Sequence, residues 1–287
     1  MQNKLQWYPG HMAKTRRLIE DNLKMIDVVV EILDARIPFS GRNPNFDDII
    51  RNKPRLLVMN KSDLADPKRT QMWIEWYRSR GLKVIPISCT TGHGTGTVLN
   101  EARKLVQDKI DRDAEKGRTR TLKLMMVGIP NVGKSSLINR LLGKASTKTG
   151  DRPGVTRGKQ WVRIKGDAEL LDTPGILPPK FEDQESAKRL AYTGAIKDEI
   201  INRELLAYSL CDYLRDNYSE ELCQRYKIKE DISESEGYEI LELIGRRRGF
   251  VVSGGEVDTE RAANVVLDEL RGAQIGKITL ETPDMFL

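Results

Sequence analysis

A phosphate-binding loop is predicted at residues 128–135. Their sequence, GIPNVGKS, fits the pattern G-x-x-x-x-G-K-[ST] and lies between an apolar run and a helical run. In such a loop the backbone N–H groups wrap a phosphate, Lys134 reaches the β- and γ-oxygens, and the Ser135 hydroxyl takes one Mg²⁺ position. The predicted nucleotide contacts of this loop are Asn131, Val132, Gly133, Lys134, Ser135 and Ser136.

A second phosphate-facing segment is predicted at Asp172–Gly175, sequence DTPG, at the end of an apolar run. The Asp172 carboxylate can hold Mg²⁺ through water, and the Gly175 N–H can face a γ-phosphate. The segment before it contains Thr156, which we choose as the second hydroxyl ligand of Mg²⁺; Thr147 and Thr149 are the alternatives. D-x-x-G alone has low specificity, so this prediction depends on the loop at 128–135.

Residues 60–63, sequence NKSD, match the N-K-x-D pattern that guanine requires. The Asp63 carboxylate only accepts hydrogen bonds, so it can take both the N1–H and the 2-amino group of guanine. Adenine offers an acceptor and no amine there, and a site built this way rejects it because a buried charge would lose its partner. Asn60 can tie the base to the phosphate loop, and the Lys61 stem can lie over the ring.

A short match follows the next apolar run, at Ser88-Cys89-Thr90. The Cys89 N–H is expected to meet the guanine O6, and Ser88 is included among the nucleotide-binding residues.

In the common order of GTPases the phosphate loop comes first, but here Asn60 precedes Lys134 by 74 residues. Loops at the carboxyl ends of parallel strands meet according to how strands lie side by side, so a permuted order can build the same pocket.

The elements that position these loops follow from hydrophobic patterning. Short apolar runs alternate with helical stretches up to residue 128, which is typical of β/α repeats on a parallel sheet, and beyond about residue 180 the pattern is helical. The predicted strands are 27–34, 54–59, 83–87, 122–128, 160–165 and 169–172. The predicted helices are 67–80, 95–115, 136–142, 186–201, 203–217, 234–244 (opened by a capping box at Ser233 and Glu236) and one capped by Asp258.

The predicted fold class is α/β: a circularly permuted P-loop GTPase domain at residues 1–178 and a smaller all-helical domain at residues 179–287. Residues 1–175 carry 33 Lys and Arg against 19 Asp and Glu, whereas residues 176–287 carry 15 against 23. The basic first part favours a polyanionic partner. No secretory signal or membrane span is predicted, and three cysteines without C-x-x-C spacing favour a reduced, cytoplasmic protein, which we expect to be monomeric.

The sequence resembles the circularly permuted GTPases of ribosome biogenesis. The matching segments are 7–12 (WYPGHM), 34–38 (DARIP), 60–63 (NKSD), 128–135 (GIPNVGKS), 153–156 (PGVT) and 172–176 (DTPGI). The resemblance implies GTP and Mg²⁺ as ligands. It also implies binding to a precursor of the large ribosomal subunit through 23S rRNA and ribosomal proteins, with GTP hydrolysis stimulated by the particle.

The residue that orients the attacking water is not obvious. Many GTPases place Gln after D-x-x-G, but Ile176 stands here and has no hydrogen-bonding group, so intrinsic hydrolysis should be slow. His11 is a candidate, since a neutral imidazole can orient water or accept its proton, and the resemblance points to the same residue. The alternative is an RNA-contacting or packing histidine. Lys134 and Gly175 complete the predicted catalytic set.

Three further assignments stay open. Asn131 resembles the asparagine of GTPases that bind K⁺ between the phosphates, or it is a turn-forming residue without a metal. Arg246, Arg247 and Arg248 follow a helix end, where they bind RNA or complement the helix dipole. Arg36, Arg42, Arg152 and Arg157 are candidate arginine fingers or rRNA contacts, or they are merely solvated.

Two functions besides large-subunit assembly remain possible at this point. A GTPase acting on tRNA or on the translating ribosome would share the pocket. An RNA-binding scaffold would keep GTP as a structural ligand with little hydrolysis, and Ile176 is compatible with it.

Overall fold

In the described part of the chain a six-stranded sheet forms the centre, in the strand order β3-β2-β1-β4-β6-β5. The computed structural model describes residues 9–50, 53–143, 160–164, 167–173, 175, 183–196, 198 and 201–286, with backbone alone for residues 9–15, 45 and 160. The strands are β1 (Val28–Asp34), β2 (Arg55–Asn60), β3 (Lys83–Pro86), β4 (Leu122–Val127), β5 (Gln160–Ile164) and β6 (Ala168–Asp172). The predicted strands are confirmed, with ends that differ by at most one residue.

All neighbouring strands are parallel except β5 and β6. Residues 165–167 are too few for a crossover, so the connection from β5 to β6 requires an antiparallel pair. Strand β1 is buried at all seven positions, as expected of a strand covered on both faces. Its one mid-strand charge, Glu31, is neutralised by Arg42 and Arg55.

Helices flank the sheet and make up most of the chain after it. In the described ranges they are α1 (Pro9–Leu23), α2 (Asn45–Ile49), α3 (Pro67–Ser79), α4 (Val98–Lys104), α5 (Gln107–Glu115), α6 (Lys134–Leu142), α7 (Gln184–Tyr192), α8 (Arg203–Asn217), α9 (Ser219–Tyr226), α10 (Gly237–Arg247) and α11 (Thr259–Arg271). The prediction for α8 is confirmed to the residue, and Asp258 does cap α11 by accepting from the Arg261 N–H.

Three helix predictions need correction. The predicted helix 95–115 is divided into a 3₁₀ turn, α4 and α5. The predicted helix 186–201 ends early, because Gly194 adopts a left-handed backbone (φ +74°) just after α7. Helix α10 is opened by a capping box of Glu236 and Glu239, not Ser233, and it continues past Gly245 to Arg247. Helices α1, α2 and α9 were not predicted.

The chain returns to the sheet at its C-terminal end. The Leu280 N–H donates to the carbonyl of Arg36 at 2.8 Å, and the Trp73 indole donates to the carbonyl of Glu281 at 3.0 Å. Phe286 stacks on Phe39 with ring centroids 4.0 Å apart. We refer to residues 275–286 as the C-terminal tail; it packs on the loops that follow β1 and β2.

We propose that the boundary between the two domains lies between residues 178 and 179, after the last strand and before α7. The C-terminal tail belongs to the second domain but packs on the first. None of the helices in the described ranges combines the length and apolar composition needed to cross a lipid bilayer.

Candidate nucleotide-binding site

The loops that carry the predicted motifs meet at one edge of the sheet. Strand β1 lies between β2 and β4, and its last residue, Asp34, is in register with Asn60 at the end of β2. The 60–63 loop follows β2, the phosphate loop follows β4, and Asp172 ends β6. The carboxyl ends of parallel strands form the usual crevice for nucleotides in such sheets.

Asn60 joins its own loop, 60–63, to the phosphate loop and to the 88–90 loop. Its Nδ2 donates to the Val132 carbonyl in the phosphate loop at 2.8 Å, and its Oδ1 accepts from the Cys89 N–H at 2.9 Å. Residues 72 positions apart in the chain are thus in direct contact. The structure brings the 60–63 loop and the phosphate loop together despite the permuted order.

The phosphate loop curls tightly over the start of α6. Gly133 is left-handed (φ +101°), and a Cβ there would lie 2.2 Å from Asn60 Nδ2, so only glycine fits. The Lys134 Nζ donates to the carbonyls of Gly128 (3.1 Å) and Ile129 (2.8 Å). Burial lowers the pKa of Lys134 to about 8, and the negative charge of Asp172 opposes that shift.

The Asp172–Gly175 segment lies against this lysine. A Cβ at Gly175 would be 2.8 Å from the Pro130 nitrogen and 2.9 Å from Lys134 Nζ, which places the Gly175 backbone on the phosphate loop. The Thr173 hydroxyl donates to the Met126 carbonyl at 2.6 Å and fixes the segment to β4. The structure therefore places Gly175 next to Lys134, as the sequence predicts.

The residues at this end of the site suit Mg²⁺. Ser135 is in the first turn of α6, and Asp172 is a buried residue whose carboxylate is close enough to affect the charge of Lys134. A hydroxyl and a carboxylate are the hard oxygen donors that Mg²⁺ takes alongside nucleotide phosphates. Thr156 lies outside the described residues.

Asp63 has the environment expected of a base-recognising carboxylate. Its Oδ1 is buried and, in the described part of the chain, has no hydrogen-bond partner. An orphaned buried carboxylate oxygen is costly, and the N1–H and 2-amino groups of guanine would satisfy it. Ser62 anchors the loop by donating to the Ile87 carbonyl at 2.8 Å.

The 88–90 loop differs in part from the prediction. The Cys89 N–H donates to Asn60 here rather than pointing to a base oxygen, and burial raises the pKa of the Cys89 thiol to about 11. The Ser88 hydroxyl accepts from the Thr91 N–H at 3.1 Å, so it holds its own loop. Both residues remain predicted nucleotide neighbours.

Asn131 and the arginines also have definite partners. Asn131 is left-handed (φ 57°), as a turn-forming asparagine would be, and its Nδ2 donates to the Gly194 carbonyl at 2.9 Å. Arg36 is 3% exposed and paired with Asp34, which is incompatible with a finger or an rRNA contact. Arg42 pairs with Glu31 and Asp47. Arg152 and Arg157 lie outside the described residues.

The predicted RNA-binding cluster ends α10. Arg247 pairs with Glu230, and Arg248 pairs with Glu269 at 2.7 Å. Two of the three cations therefore face carboxylates of their own region. Arg246 is exposed in the last turn of the helix, where a cation also complements the helix dipole. RNA binding by this cluster stays a prediction.

His11 is in α1, but its side chain is outside the described atoms, as is Ile176.

Arg140 is a residue of the site that the sequence motifs did not identify. It extends from α6, and its Nε and NH2 donate to the carbonyls of Cys89 (2.9 Å) and Thr90 (2.7 Å). Nothing in the sequence around an arginine on an amphipathic helix indicates that it will bind the carbonyls of a distant loop.

Comparison with known proteins agrees with this geometry. A family model described as "50S ribosome-binding GTPase" matches residues 123–237. A protein of Bacillus cereus named ribosome biogenesis GTPase A is 48% identical over 98% of this chain and 95% of its own length. The Thermotoga maritima protein of that name is 32% identical over 98% of this chain and 95% of its own. A structure of YlqF from T. maritima with GNP bound is similar, with 28% identity and a TM-score of 0.64 over 94% of this chain and 99% of that one.

The fold and the site define a circularly permuted P-loop GTPase. The chain belongs to the ribosome biogenesis GTPase A family. It hydrolyses GTP, and Mg²⁺ is the usual metal of this class.

Proposed function

We propose that this GTPase assists late assembly of the large (50S) ribosomal subunit in the cytoplasm, and that it acts as a monomer. The observation that carries the proposal is the similarity to proteins named ribosome biogenesis GTPase A, which extends over nearly the whole of both chains. Similarity of that extent includes the helical region as well as the nucleotide site. The matching family description, with its 50S partner, supports the same subunit.

Charge supports a contact with 23S rRNA in the precursor. The excess of 14 cations over anions in residues 1–175 favours association with a polyanion. The acidic remainder would be repelled by bare RNA, so it is expected to touch RNA locally, through Arg246, or to face basic ribosomal proteins.

Hydrolysis is assigned to the residues around the phosphate loop. Lys134 stabilises charge on the β- and γ-oxygens, and the Gly175 N–H orients the γ-phosphate. Ser135, Thr156 and, through water, Asp172 would hold Mg²⁺, which neutralises developing phosphate charge when bound. His11 is proposed to orient the attacking water when the particle brings the start of α1 toward the γ-phosphate, since Ile176 cannot.

Nucleotide state is proposed to control particle binding. The Asp172–Gly175 segment is followed within about ten residues by α7, so a change there reaches the helical region through a short connection. A segment that is ordered by a γ-phosphate and released on hydrolysis would favour binding in the GTP state and release in the GDP state.

The test is GTP turnover by the full chain alone and with purified large subunits, small subunits or mature 70S particles. Stimulation by large subunits and not by small subunits supports the proposal. Stimulation by 70S particles alone supports a GTPase of translation or tRNA instead. No stimulation by any particle, with GTP-dependent RNA binding retained, supports the scaffold.

His11→Ala isolates the proposed water-orienting residue. We expect it to abolish the stimulation while leaving GTP affinity intact. His93→Ala is the matched control, because the other histidine of the chain is exposed. Full stimulation in His11→Ala would refute the role of His11 and leave the particle assignment standing.

A further inference from the structure

Asp34 is a buried carboxylate that contacts two cations. It ends β1, is 1% exposed, and accepts from the Arg36 Nε at 3.0 Å and the Arg36 NH2 at 2.8 Å. Its Oδ2 also lies 2.9 Å from the Nζ of Lys61. Because the arginine fork engages both oxygens, the carboxylate has one fixed orientation, with Oδ2 toward Lys61.

Lys61 needs such a partner. It is the second residue of the 60–63 loop, its backbone is left-handed (φ 62°), and its side chain is 22% exposed. A non-glycine residue in this conformation costs about 1 kcal/mol, so surrounding contacts must hold it. Burial lowers the pKa of Lys61, and the charge of Asp34 opposes that shift. The carboxylate therefore fixes both the place and the charge of the ammonium group.

Asp34 is enclosed by its two cationic partners, Arg36 and Lys61, and is almost fully buried. Arg36 is itself held on the side away from Asp34, because its NH1 donates to the Arg271 carbonyl at the end of α11 at 3.2 Å. Burial opposes ionisation of Asp34, but the neighbouring Arg36 and Lys61 cations hold its pKa well below its usual range. It stays ionised across the working range of pH, and its contact with the 60–63 loop is the ion pair with Lys61.

We propose that Asp34 is a positioning residue for guanine recognition: it holds the Lys61 side chain in the place where its stem covers the base. This rests on the proposed assignment of residues 60–63 to guanine. Contacts to the base are the same before and during hydrolysis, so the effect should fall on binding and not on the chemical step.

Asp34→Asn in the full chain tests the proposal, since it keeps the shape and removes the charge. We expect the dissociation constant of a fluorescent GDP analogue to rise at least tenfold, and the preference for GDP over ADP in competition to narrow. KM for GTP should rise with it, while kcat at saturating GTP stays within twofold. Asp34→Glu should restore part of the affinity.

Glu31→Gln is the matched control, because Glu31 is a fully buried carboxylate on the same strand with two arginine partners of its own. It should lower thermal stability but leave GDP affinity within twofold of the parent. Lys61→Met, alone and combined with Asp34→Asn, closes a double-mutant cycle in which the two losses of affinity should not add.

Three results would overturn the proposal: GDP affinity in Asp34→Asn no lower than in Glu31→Gln, additive losses in the cycle, or a fall in kcat with KM unchanged. A parent protein that binds ADP as tightly as GDP would overturn the guanine assignment itself. If the parent prefers GDP and Asp34→Asn does not differ from it, only the positioning role fails.

Discussion

The Asn131 side chain donates a hydrogen bond to the carbonyl of Gly194, at 2.9 Å. This contact joins the phosphate loop to the turn that ends α7. Arg271, at the end of α11, donates to the carbonyls of Ala191 and Tyr192 at the same turn. The phosphate end of the site is therefore connected directly to the helical region.

Asn131→Gly removes this carboxamide without straining the left-handed backbone, because glycine adopts a positive φ freely. Loss of the hydrogen bond should cost about 1 kcal/mol of unfolding free energy. The K⁺ hypothesis further predicts faster GTP hydrolysis by the parent in K⁺ than in Na⁺, and no such difference in the variant. Equal rates of the parent in both salts would contradict K⁺ binding and leave Asn131 as a turn residue.

Gly133→Ala should strongly weaken nucleotide binding. The added methyl would collide with Asn60 Nδ2, so the bond from Asn60 to the phosphate loop must break. Gly117→Ala is the control, since Gly117 is also left-handed (φ +67°) but has open space around its Cβ position. We expect the dissociation constant of GDP to rise more than tenfold in the first variant and to be unchanged in the second. Equal affinities would contradict the joining role of Asn60.

GTP and GDP affinity should fall as the pH rises above about 8. Burial lowers the pKa of Lys134 to about 8 in the free protein, and nucleotide phosphates would favour its charged form. Binding then takes up a proton, and above that pH the association constant falls by up to about tenfold per unit. Calorimetry at pH 8.5 in buffers of different ionisation enthalpy should show this uptake. Binding enthalpies that do not depend on the buffer would contradict it.

Docking of the C-terminal tail should strengthen at low pH. Burial raises the pKa of Glu281 to about 6, although the N–H groups of Phe39 and Ser40 donate to its carboxylate and lower it. The folded state therefore holds this proton more tightly than the unfolded state. The contribution of this protonation to the free energy of unfolding is fully present below about pH 4.5. It is lost as the pH rises through about 6, a change of about 2 kcal/mol.

Urea unfolding of the parent and of Glu281→Gln between pH 4.5 and 7 measures this contribution. The amide does not titrate, so the parent should lose stability relative to the variant as the pH rises. Parallel curves for the two proteins would show that Glu281 does not titrate in this range.

Much of the site could be predicted because its signals are local. The phosphate loop and the 60–63 loop are short patterns beside apolar runs, and the rule that parallel strands bring their carboxyl ends together predicted the contact of Asn60 with the phosphate loop. The early end of α7 was not predicted because the apolar periodicity continues past Gly194, although a glycine is a common signal for the end of a helix.

The unpredicted parts are contacts between distant residues that leave no periodic trace. Glu281 accepts from residues about 240 positions earlier, and Arg140 binds the carbonyl of Cys89 from another element. The ion pair of Asp34 with Lys61 lies between two motifs that were each recognised, but nothing in either motif shows that they touch.

The most direct test of the central claim, that Lys134 and Asp63 hold opposite ends of one guanine nucleotide, is the base preference of Asp63→Asn. Xanthine has a carbonyl where guanine has its 2-amino group, so an amide can accept from N1–H and donate to that carbonyl. We predict that Asp63→Asn hydrolyses xanthosine triphosphate with a higher kcat/KM than GTP, the reverse of the parent, and that Lys134→Ala added to it removes both activities. A variant that still prefers GTP would contradict the account.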